Sequence, residues 1–225
     1  MGTFLKYVRN PISLESTEHF TLRIYFRIMG MGFLLVFITN LLVFGFNRFM
    51  VLPEYLNPRL DSPIIFLILV IIGPLIEEIL FRLNLVVSRI NFAIFITVLF
   101  TLLMKVIFFD RGDFYVYLGM IPLFPLIYYV FLNTEYPVQL IDLFVKSHFR
   151  YLFHILAITF GMFHLFNYQT VYWWMILFFP IITGPYIAIG YVLGYTRMRY
   201  GFSNGWLFHS SINFIYAFMA MPKHF

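Results

Sequence analysis

The chain has no cysteine. A thiol nucleophile, a disulfide and a Cys-ligated metal are therefore excluded, and nothing marks the redox compartment. Charge is also scarce, at 11% of 225 residues, against about 25% in ordinary soluble domains. What replaces it is apolar: 62% of the residues are hydrophobic and the mean hydropathy is +0.88. A single soluble domain of this length cannot hide that much apolar surface from water, so lipid has to cover part of it. The net charge of +5 does not point to nucleic acid, because the fifteen basic residues are scattered along the chain. The opening residues lack a short apolar core followed by a small-residue cleavage site, so no removable signal peptide is expected.

Long apolar runs lie near 24–46, 63–89, 92–109, 115–132, 150–167, 172–195 and 204–221. About 20 helical residues cross a hydrocarbon core, so the expected fold is an all-α polytopic transmembrane bundle of about seven spans. Residues 1–23 read as a short N-terminal interfacial segment, and 24–225 as one transmembrane domain without repeat or linker. Breaks fall where Pro, Gly, Asn and charge cluster, including the stretch from Asn133 to Arg150. With a cytoplasmic N-terminus, ten basic residues lie inside and five outside, the sense of the positive-inside rule. A short chain of this kind is expected in a bacterial cell membrane.

Eight of the ten acidic residues lie in the N-terminal segment or the connections; only Glu77 and Glu78 fall within an apolar run. A charge at mid-bilayer costs about 2.5–3.5 kcal/mol on insertion scales, so two adjacent carboxylates need partners or a water-filled cavity. Glu78 and Arg82, four apart, share a helix face within ion-pair reach, whereas Glu77 is rotated about 100° away. Such a pair serves equally well to fix helix packing. The second carboxylate is what favours a site, since adjacent like charges prepare a general base.

His164, near the end of the fifth run, and His209, in the last, are the histidines best placed to join Glu77. His209 and Asn213 are again four apart and present two hydrogen-bond donors on one face, which suits a developing oxyanion but also a bridge between helices. His154 is rotated away from His164 and reads as a packing residue. At about 1.5 Å per residue, Glu77, His164 and His209 lie roughly 18, 21 and 8–14 Å below the cytoplasmic surface, so they can meet if 92–132 crosses an even number of times.

These residues resemble the CPBP intramembrane proteases, also called the CAAX protease and bacteriocin-processing or Abi family. Glu77-Glu78-Ile-Leu-Phe-Arg82 matches the family's Glu-Glu-x-x-x-Arg, Phe160 to His164 its Phe-x-x-x-His, and His209 to Asn213 its His-x-x-x-Asn. The resemblance implies metal-independent peptide hydrolysis: Glu77, helped by His164, activates a water, and His209 with Asn213 stabilises the tetrahedral intermediate. Glu78, Arg82 and Phe160 support them. It covers about 63–89 and 150–217. The 87 positions between Glu77 and His164 are many more than in the family, and residues 92–132 read as inserted helices. The implied partners are a peptide or membrane-protein substrate and the lipid bilayer, with no cofactor. The alternatives are a zinc peptidase using Glu77, His164 and His209, a known type of ligand set, and a non-catalytic membrane immunity or scaffold protein.

Overall fold

Prolines and small residues decide where the helices of this chain begin and how closely they pack. The structure is a computed structural model that describes residues 1–13, 18–56, 62–107, 123–133 and 135–220. It is all-helical; among the described residues the only β-type pairing is an isolated bridge between Tyr55 and Tyr168. The helices are α1 (Gly2–Arg9), α2 (Leu22–Asn47), α3 (Pro63–Leu85), α4 (Arg89–Ile107), α5 (Leu123–Asn133), α6 (Glu135–Ser147), α7 (Phe149–Phe163, extended by a 3-10 turn His164–Asn167), α8 (Trp173–Leu177), α9 (Phe179–Ile182), α10 (Gly184–Tyr200) and α11 (Phe202–Ala220). Three of them, α2, α3 and α7 with its 3-10 turn, are long and apolar enough to cross a membrane, and Arg89–Met104 forms a shorter apolar helix.

Two stretches differ from the sequence reading. The run 172–195 is not one helix, because Pro180 and Pro185 carry no N–H to continue a ladder; each sits at the start of a new helix, where none is needed. The connection from Asn133 to Arg150 instead holds α6. Its Pro137 falls in the first turn, where proline is tolerated, and its apolar residues Leu140, Leu143 and Phe144 lie exposed on one side while Val145 is buried. Residues 108–122, which include the first eight residues of the expected 115–132 span, lie outside the described residues.

α10 is the centre of the bundle, packed against α2, α7 and α11 and buried along most of its length. Small residues permit this close approach, as they do between helices in lipid. A Cβ on Gly190 would stand 2.8 Å from the Ala157 carbonyl oxygen of α7. Gly190→Val is therefore expected to lower stability by about 1–3 kcal/mol or more, read as a lower thermal midpoint in detergent. α7 and α10 are also joined by a 3.0 Å hydrogen bond between His154 Nδ1 and the Tyr191 hydroxyl. Beyond α10 the chain reverses at Gly201, whose φ of 93° is unfavourable for any side-chain-bearing residue. That turn aims α11 back alongside α3, which it contacts through His209 and Asn213.

At the same end of the bundle, α1 buries Phe4 and Tyr7 against Tyr195 of α10, and the Tyr7 hydroxyl donates to the Ile12 carbonyl at 2.8 Å. Arg199 pairs with Glu18. The outward faces of α2 expose Phe26, Phe37, Leu41 and Leu42, as a lipid-covered helix does.

Candidate active site

The site begins with a fault in the α3 ladder. Between Pro63–Leu67 and Gly73–Phe81 the helix widens to a π turn, Ile68–Ile72. The Gly73 N–H reaches back to the Ile68 carbonyl, and Pro74, the next residue, has no N–H at all. The Leu69 carbonyl is thereby deprived of a main-chain donor. Asn213 of α11 supplies one, its Nδ2 donating to Leu69 O at 3.0 Å, and Trp206 Nε1 donates to Ile71 O at 3.1 Å. Because a carbonyl only accepts, this bond fixes which way the Asn213 amide points and leaves its second N–H free.

One turn further on, Glu78 and Arg82 form the pair that their spacing predicts, Arg82 Nη1 donating to Glu78 Oε1 at 2.7 Å. Glu78 is fully buried and Arg82 nearly so. The guanidinium lies over the Phe160 ring at 4.1 Å, and the same ring meets His164 and His209 edge-on. Phe160 thus packs against the cation and both imidazoles. His209 Nδ1 donates to Glu78 Oε1 at 3.0 Å, so the ion-paired carboxylate sets the orientation of His209. Arg197, counted from sequence among the cytoplasmic charges, is buried instead, with Nε donating to the Arg82 carbonyl at 3.4 Å.

Glu77 turns the other way. It lines a cavity of about 610 Å³ together with His164, His209 and Asn213, so the four candidate residues from three distant segments share one chamber. The expected partnership of Glu77 with His164 is not a direct contact. Glu77 Oε2 lies 3.5 Å from His209 Nε2, and no ion pair joins Glu77 to His164 among the described residues. The reason is side-chain orientation: His164 Nδ1 donates to the Phe160 carbonyl at 2.8 Å, and its ring stacks on Tyr186 at 4.0 Å. That bond leaves Nε2 as the ring's lone-pair nitrogen. Glu77 Oε2 is shielded and has no hydrogen-bond partner, a state that a bound water would relieve.

No family model, curated protein or solved structure matches the chain. The geometry therefore stands on its own. Among the described residues no three His, Asp or Glu side chains are grouped so as to hold a metal ion.

The cavity also presents residues that the sequence reading passed over. Asn40, a lone carboxamide inside the apolar α2, lines it, as do Tyr55, Asn167, Tyr168, Tyr186 and Tyr216. Asn40 carried a usable signal, since an amide in so apolar a helix needs a reason. The tyrosines carried none, because tyrosine is common in spans and at their edges.

Proposed function

We propose that this chain is an intramembrane endopeptidase that hydrolyses peptide bonds with a water activated by Glu77 and His164. The observation that carries this reading is Glu77 Oε2, shielded and without a hydrogen bond, in a chamber shared with a lone-pair imidazole nitrogen and a half-used amide donor. A water between Glu77 and His164 Nε2 gives up a proton to the Glu77 carboxylate as its oxygen adds to the scissile carbonyl. The resulting oxyanion takes the free N–H of Asn213 and the Nε2–H of His209. His209 donates at both nitrogens when doubly protonated, and its charge then balances Glu77 as Arg82 balances Glu78. The proton next passes to the leaving nitrogen, and the C–N bond breaks. The resemblance to the CPBP proteases supports the same division of roles.

Long apolar helices with exposed apolar faces support a membrane protein; about seven crossings, a cytoplasmic N-terminus and a bacterial cell membrane are the reading of the sequence, from its apolar runs and basic residues. With Arg82 and Arg197 buried, eight basic residues inside still outnumber five outside. The substrate is a peptide or membrane protein, and nucleic acid has no place in the reading.

The test is cleavage of an apolar reporter peptide by protein reconstituted in nanodiscs. Asn213→Ala is expected to lower kcat by about 10²–10³, the loss typical of one oxyanion donor. Exhaustive chelation is expected to leave the wild-type rate unchanged; loss on chelation with recovery by zinc transfers the reading to a zinc peptidase using Glu77, His164 and His209. If Asn213→Ala cleaves as wild type does, the oxyanion assignment fails.

A further inference from the structure

Beside His164 the cavity wall carries a chain of hydrogen bonds with a direction. Asn167, in the 3-10 turn that follows α7, donates from Nδ2 to the Tyr55 hydroxyl at 2.6 Å, and the Tyr55 hydroxyl lies 2.5 Å from that of Tyr186. Tyr55 is held in place. Its neighbour Leu56 donates N–H to the Asn167 carbonyl at 2.6 Å, and Glu54 receives both the main-chain N–H and the side-chain amide of Gln169 at 3.0 Å. Tyr168 packs edge-on against the Tyr55 ring at 5.3 Å.

Each phenol has a single hydrogen. An amide nitrogen can only donate, so the Tyr55 oxygen accepts from Asn167. Accepting a bond makes a hydroxyl a better donor, which favours the head-to-tail order Asn167 to Tyr55 to Tyr186. The Tyr186 hydrogen is then left over, on a side chain that lines the cavity and whose ring stacks on His164 with 21° between planes. The lining offers it no carboxylate other than Glu77.

We propose that the Tyr186 hydroxyl donates a hydrogen bond to a main-chain carbonyl of the substrate next to the scissile bond. This deepens, and rests on, the endopeptidase reading above. A main-chain carbonyl is the acceptor that any peptide brings, whatever its side chains. In an α-helix that carbonyl already accepts from the N–H four residues on and is crowded by its own turn, so an apolar segment that enters the chamber unwound offers it most fully. Tyr186 in this role binds the flanking peptide rather than the reacting atoms, and its contribution is the same in the ground state and the transition state.

The test compares Tyr186→Phe with Tyr55→Phe in nanodiscs, by cleavage kinetics and by the Kd of a dye-labelled apolar peptide for the Glu77→Gln protein carrying each change. Tyr186→Phe retains the ring stacked on His164. It is expected to raise KM and Kd about tenfold, the size of one neutral hydrogen bond, with kcat within about threefold and its pH profile unmoved. Tyr55→Phe is expected to raise both by no more than about threefold, since the Tyr186 hydroxyl remains. Unchanged KM and Kd in Tyr186→Phe overturn the proposal, and so does a larger loss in Tyr55→Phe, which would make Tyr55 the donor. If the wild type cleaves nothing while the Kd still weakens in Tyr186→Phe, the donor stands and the endopeptidase reading fails. If the wild type neither binds nor cleaves, both fail.

Discussion

Glu77→Gln is expected to accumulate and fold as the wild type does while losing cleavage by about 10²–10⁴, the contribution of a positioned general base. The substitution is nearly isosteric, and the carboxylate it removes makes no hydrogen bond that the fold depends on: Oε2 has no hydrogen-bond partner, and its ion-pair contact with His209 Nε2 is long, at 3.5 Å. His209 itself remains anchored by Glu78. Activity and stability therefore separate at this position. Membrane peptidomes of cells carrying wild type or Glu77→Gln provide the measurement, and a fragment absent only in the variant identifies the client. Matching peptidomes, with the variant protecting or signalling as the wild type does, would instead favour an immunity or scaffold role.

Arg82→Leu is expected to do the opposite, lowering stability by about 3–5 kcal/mol, because it strands a buried carboxylate. Glu78 is 0% exposed, and its Oε1 receives both Arg82 and His209. The guanidinium also leaves the Phe160 face. Thermal unfolding in detergent should show this as a large fall in midpoint. The double change Glu78→Leu with Arg82→Leu removes both charges and should recover much of the lost stability, as replacing a whole buried pair often does. It should not recover cleavage, since His209 then has no acceptor at Nδ1. A double variant as unstable as the single one would show that the pair contributes more than mutual neutralisation.

The parts of this molecule that could be read in advance are those fixed by helical spacing. Four-residue separation put Arg82 on Glu78, and composition alone required an all-helical chain with long apolar helices. Side-chain rotation was not legible. Depth along the helix axis allows Glu77 and His164 to meet, but the Phe160 carbonyl and the Tyr186 ring hold His164 while His209 approaches Glu77. Hydropathy also overlooked Pro180 and Pro185, because it sums transfer energies and takes no account of missing N–H groups.

The π turn at Ile68–Ile72 has a bearing on why two neighbouring glutamates behave so differently. A π turn advances each residue by a smaller angle than an α turn, so over one such turn the helix lags by roughly one residue, about 100°. Wound as ordinary α-helix, the second half of α3 would rotate forward by that amount. Glu77 would enter the place now held by Glu78, beside the Phe160 ring, and Ile76 would face the chamber. The identity of the exposed carboxylate is thus a matter of helical phase, set upstream by the widened turn Ile68–Ile72 and by Pro74, and not of any difference between the two side chains.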